Sequence, residues 1–77
     1  MITIDVKNGI IYDEYHQFKL GDEALLYNSC EKSKILYINK SHVIFKGEVC
    51  LSLVQFGKAN FGIFSKKHIF IKNDINI

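Results

Sequence analysis

Apolar and polar residues alternate in short runs from the start of the chain. Ile2, Ile4 and Val6 alternate with Thr3, Asp5 and Lys7, and Ile10, Ile11 and Tyr12 follow. Asn8-Gly9 between two such runs is the strongest short hairpin signal, because both residues tolerate positive φ. The pattern therefore predicts an N-terminal hairpin. Asp13 to Leu20 fits either a helical turn or a wandering loop. After Gly21-Asp22, strand-like runs cover Glu23 to Tyr27, Lys34 to Ile38, Val43 to Lys46 and Val49 to Phe56. Leu25 and Tyr27 fall on one face, as do Val49, Leu51 and Leu53. Asn28 to Ser33, Asn39 to His42, Gly47-Glu48 and Gly57 to Asn60 read as connections. Phe61 to Ser65 and His68 to Lys72 bracket Lys66-Lys67 as a last hairpin. The tail from Asn73 keeps alternating through Ile75 and Ile77.

Six or seven short strands at a spacing of roughly 8–12 residues predict a small barrel or sandwich. No 12-residue window holds apolar residues at i, i+3, i+4 and i+7, so nothing favours a helix-rich fold. β-Branched and aromatic residues dominate, and these suit a pleated surface.

Leu20-Gly21-Asp22-Glu23-Ala24-Leu25 resembles the opening strand of SH3-like barrels, the group that includes KOW and Tudor-type modules. Ile35-Leu36-Tyr37-Ile38 and Val43-Ile44-Phe45 resemble the next two strands, joined by a tight turn. Leu51 to Gly57 resembles a further strand, and Ile69-Phe70-Ile71 stands where a closing strand would be. The resemblance covers residues 20–71. It implies an all-β SH3-like barrel over residues 20–77, preceded by a hairpin and connecting segment over residues 1–19. Such barrels often bind nucleic acids, peptides or partner subunits, and the fold by itself does not choose among these.

A chain of 77 residues makes one domain with a thin core and little room for a deep pocket. With 48% hydrophobic and 13% aromatic residues, it is too apolar to be disordered. Its apolar runs are far shorter than the roughly 20 residues that span a bilayer. No charged and then apolar leader pattern opens the chain, so the expected compartment is the cytoplasm. Two cysteines, Cys30 and Cys50, are expected as reduced thiols, since a disulfide scaffold carries more. Cys30 lies in a polar stretch, and Cys50, inside an apolar run, is expected to pack as a small hydrophobe.

The net charge is +2, which excludes an acidic DNA mimic and is mild for a nucleic-acid binder. All ten basic residues are Lys, and Arg, Pro and Trp are missing. Lys, Ile and Asn have A/T-rich codons, which points to an A/T-rich genome, as in many bacteria and phages. Lys lacks the planar fork of Arg, so contact with a backbone is favoured over base-specific readout.

Catalysis is not expected. Ser41-His42 sets a hydroxyl beside an imidazole, but strand neighbours point to opposite faces, and a nucleophile needs a base within reach and an orienting group. No nucleophile elbow or phosphate-cradling loop is present. No metal or other cofactor is expected, because Cys30, Cys50, His16, His42 and His68 fall in no ligand spacing. Asp13-Glu14 and Asp22-Glu23 are adjacent pairs, which do not span a substrate, and Asp22 suits a turn hydrogen bond.

Two surfaces remain. Tyr12, Tyr15, His16 and Phe18 put aromatic anchors in an acidic segment, which suits a protein partner, or else they plug one end of the fold. Lys40, His42, Lys46, Lys66, Lys67, His68 and Lys72, with Phe70 and Lys58 nearby, suit single-stranded nucleic acid. Lysines at a hairpin tip also simply blunt sheet edges. The alternating Ile at both ends could pair within one chain or join two copies, so monomer and homodimer both stay open. The expectation is a small non-catalytic module, of a kind a phage encodes, that docks on and modulates a larger host protein. A nucleic-acid-binding module and a self-associating structural component are the alternatives.

Overall fold

The computed structural model describes residues 1–27, 30–63 and 65–73. Ile75 and Ile77 lie outside the described residues. Among the described residues the chain is mostly β, in two four-stranded sheets that do not close into the expected SH3-like barrel. The first sheet has the order β3-β2-β1-β8, built from β1 (Ile2–Asp5), β2 (Ile10–Tyr12), β3 (Gln17–Lys19) and β8 (Ile69–Lys72). The second has the order β4-β5-β6-β7, built from β4 (Glu23–Leu25), β5 (Lys32–Ile38), β6 (His42–Phe45) and β7 (Val49–Ser52). One helix, α1 (Leu53–Phe61), follows β7 directly.

The expected first hairpin forms, with Asp5 opposite Ile10 and Thr3 opposite Tyr12. Its turn differs from a two-residue Asn-Gly turn. Four residues, Val6 to Gly9, connect the strands, and only Gly9 takes positive φ, at 65°. Asn8 bonds the Asp5 carboxylate instead, through its backbone N–H (3.2 Å) and its side chain (2.8 Å). The ambiguous Asp13–Leu20 stretch resolves into a short turn and β3, which pairs with β2.

The largest departures from expectation lie beyond Ser52. The run Val49 to Phe56 is not one strand, because β7 ends at Ser52 and Leu53 to Phe61 is helical. Ser52 and Gln55 form a capping box, which satisfies backbone donors that a strand would have offered to a neighbour. Gly62 closes the helix in the left-handed conformation at φ 74°. Leu53, Phe56 and Gly57 then share one buried face. The helix is nine residues long, shorter than a window long enough to reveal its periodicity. It also consumes Gly57 to Asn60 and Phe61, so among the described residues the expected last hairpin, whose Phe64 lies outside them, does not form. A single 3-10 turn over Lys66–His68 leads instead into β8, which pairs parallel with β1 from Ile2 opposite Ile69 to Asp5 opposite Lys72. The ends of the fold thus meet within one chain.

The core lies between the sheets. Ile2, Ile4 and Ile11 from the first sheet face Ile35, Ile38, Val43, Phe45 and Leu51 from the second. The helix lies against β4, β6 and β7. Its Phe56 and Phe61 rings meet Phe18 of β3 edge to face, each at 5.6 Å between centroids. Cys50 is exposed on β7 rather than packed, because it alternates with buried Leu51 and pairs with Ile44 on the outer face.

Asn60 ties the helix to the edge of the second sheet. Its Oδ1 accepts the Leu25 N–H (2.9 Å), and its Nδ2 donates to the Leu25 carbonyl (3.1 Å) and the Phe56 carbonyl (3.2 Å). The side-chain amide thereby stands in for a missing strand beside β4. Removing it strands two part-buried backbone groups. Asn60→Ala is expected to cost about 1–3 kcal/mol in urea unfolding. Asn60→Asp is expected to fail as well, since a carboxylate cannot donate to either carbonyl.

Asp5 joins hairpin and C-terminal strand. Its carboxylate accepts from Asn8 and, at 2.7 Å, from the Asn73 side chain. The Asn8 and Asn73 side-chain bonds hold its pKa below the ordinary value, against desolvation. A depressed folded pKa stabilises the fold above the unfolded value of roughly 3.9 and loses that contribution as pH falls through the folded one. Unfolding followed by circular dichroism is expected to show stability falling below about pH 4. Asp5→Asn is expected to flatten that dependence.

Candidate functional site

A cleft of about 330 Å³ opens where the β5–β6 turn, the start of α1 and the approach to β8 converge. Lys40, His42 and Lys66 line it with basic groups, together with the hydroxyls of Ser41 and Ser52. Leu53, Val54, Ile69 and Ile71 make an aliphatic floor. Among the described residues, none of the lining side chains is a carboxylate. The cleft therefore suits a group that is negative at one end and apolar at the other.

Local chemistry positions each wall. Asn39 Oδ1 accepts the backbone N–H of Ser41 (2.8 Å) and of His42 (2.7 Å), which shapes the turn that carries Lys40. The Ser41 carbonyl accepts the Leu53 N–H at 3.2 Å, so the turn is bonded to the first residue of the helix. The capping box joins Ser52 Oγ to the Gln55 N–H (3.2 Å) and Gln55 Oε1 to the Ser52 N–H (2.8 Å). Ser65 Oγ accepts the Lys67 N–H at 3.4 Å and organises the turn that presents Lys66.

Ser41 and His42 do meet, contrary to the strand-alternation expectation: Nδ1 lies 3.1 Å from Oγ. Ser41 precedes β6, so the alternation of strand faces does not reach it. Ser41 Oγ donates to Asn39 Oδ1 at 3.1 Å.

Of the seven residues expected on a lysine face, the cleft gathers Lys40, His42 and Lys66. Lys67 and His68 sit on the adjoining turn. Lys46 lies beyond the far end of β6, where its N–H donates to the Lys34 carbonyl. Lys72 lies at the far end of β8, opposite Asp5. The four aromatic candidates also divide. Phe18 packs on Phe56 and Phe61, and His16 meets Phe61 at 5.8 Å. Tyr12 is half-buried on β2, and Tyr15 is 85% exposed. Asp13 organises this segment by accepting from Tyr15 N–H, His16 N–H and the His16 ring. Burial raises the Asp13 pKa, but these hydrogen bonds outweigh it and leave the pKa lowered.

Among the described residues, no three His, Cys, Asp or Glu side chains gather as a metal ion requires. Nor is any described helix long and apolar enough to cross a membrane. Compared with protein families, curated proteins and solved structures, the chain has no match in any of the three.

Sequence reasoning missed the floor of the cleft, because Leu53 and Val54 were expected in a strand. The Ser-x-x-Gln spacing of Ser52 and Gln55 was the signal that could have found it. Ser52→Ala is expected to cost about 1 kcal/mol in urea unfolding, the usual value of an N-cap.

Proposed function

We propose that the protein is a non-catalytic binding module that docks on a larger protein and modulates it. An extended partner segment adds along the open edge of β8. It sets an apolar side chain on the aliphatic floor and an acidic group among Lys40, His42 and Lys66. One observation carries this reading: two lysines, an imidazole and two hydroxyls line a cleft with aliphatic residues, beside a strand that has no neighbour on its far side among the described residues.

The division of labour follows from the chemistry. Backbone bonding along a free edge supplies affinity, and a pocket for alternate side chains supplies specificity. Ile69 and Ile71 face the cleft while Phe70 and Lys72 face away, so every second residue of an added strand would meet the floor. The lysine charges are exposed and screened by salt, so they act on register and association rate more than on affinity. Lys carries a compact charge without a fork, and it accepts a carboxylate from several directions. The A/T-rich codon bias supports a phage or bacterial source, and hence a bacterial target.

The test is affinity capture from bacterial lysate with nuclease present. The expected result is a stoichiometric protein partner that survives nuclease and is captured in smaller amount by Lys66→Glu, which sets a carboxylate against the partner's acid. Equal capture by Lys66→Glu, or recovery of nucleic acid alone, overturns the proposal.

A further inference from the structure

The outer face of the first sheet carries a second, independent surface. Its register sets two cross-strand rows side by side. One is Gln17–Tyr12–Thr3–Phe70, and the next is Lys19–Ile10–Asp5–Lys72. Ile2, Ile4 and Ile11 point the other way into the core, so alternation places these eight residues on the opposite face, where Asp5 alone is buried, at 5% exposure. Phe70 is 53% exposed, a large apolar ring left on the surface of a strand whose neighbours on either side turn inward. Tyr12 and Phe70 flank Thr3, the smallest side chain of their row, at two strand spacings, about 10 Å apart. The row with Lys19 and Lys72 at its two ends lies two residues along the strands, about 7 Å away.

We infer that this face binds single-stranded nucleic acid, with bases stacked on Tyr12 and Phe70 and phosphates met by Lys19 and Lys72. Rings suit this role because every base has a π-face, and ammonium groups follow a backbone without reading sequence. The carboxylates of the region have partners within the chain. Asp5, in the middle of the lysine row, is buried, accepts from Asn8 and Asn73, and interacts with the Lys72 charge beside it. Asp13 and Glu14 border the Tyr12 end. Asp13 accepts from two backbone N–H groups and the His16 ring, and Glu14 pairs with the N-terminal ammonium at 3.8 Å. The face is separate from the cleft, and it stands or falls independently of the docking reading.

Fluorescence anisotropy with labelled 12-mers of dT and U, at 50 and 200 mM salt, tests it. Binding is expected to weaken with salt at a slope of about −0.7 per phosphate neutralised, and Lys72→Gln is expected to reduce the slope by about that amount. Phe70→Leu keeps apolar volume but removes the ring, and Tyr12→Leu does the same on β2. Each is expected to weaken binding roughly 5- to 150-fold. Tyr37→Leu, on β5 of the other sheet and 54% exposed, is expected to change nothing. Thermal unfolding of each variant separates loss of binding from loss of fold. No binding at 50 mM salt, equal binding of a 12-bp duplex, or an equal loss with Tyr37→Leu overturns the inference.

Discussion

The rest of the structure hangs on the capping box at Ser52. Two short hydrogen bonds between Ser52 and Gln55 turn a chain that was running as a strand into a helix. Without that switch, Leu53 and Phe56 would continue β7 on alternate faces. With it, both sit on one helical face that packs toward the core. Phe56 then joins Phe45 and Phe61 on one side and Phe18 of the first sheet on the other. A small domain has little core to spare, and here the bridging ring between the two sheets comes from the helix.

The same switch accounts for two features remote from the core. Asn60, on the last turn of α1, is carried to the exposed edge of β4 and occupies its free backbone groups. The start of α1, bonded to the Ser41 carbonyl, becomes one wall of the cationic cleft. Gly57 is buried where the helix approaches the first sheet, and a Cβ built there would lie 3.2 Å from both Ile2 Cδ1 and the Ile63 carbonyl. The close approach that seats the helix thus depends on a residue that a strand reading would treat as a turn marker.

Several polar side chains hold the fold. Asp5, Asp13, Asn39 and Asn60 are each engaged with backbone or amide partners. Lysines dominate what faces outward, around the cleft and at both ends of the outer row of the first sheet. In a chain with no Arg, such surfaces offer charge without rigid geometry.

The alternation of Ile2, Ile4 and Ile11, the break at Asn8-Gly9 and the apolar pairs of β5 and β6 are local, so the sequence by itself determined a mostly β domain and its first hairpin. Periodicity of two fixes which residues face inward along a regular strand, but not across the irregularity in β5 that leaves Ile35 and Ile38 both buried. It misled from Leu53 onward, where apolar residues fit a strand and a short helix equally well and only the caps distinguish them. What no local pattern contains is who pairs with whom. The parallel pairing of β8 with β1 joins residues nearly a whole chain apart, and it is set by the burial of Ile69 and Ile71 against the rest of the core. The cleft likewise unites Lys40, Ser52 and Lys66 from three separate stretches. Tertiary structure alone decided both, because hydrophobic burial rewards contacts without regard to sequence distance, while sequence patterns record only neighbours.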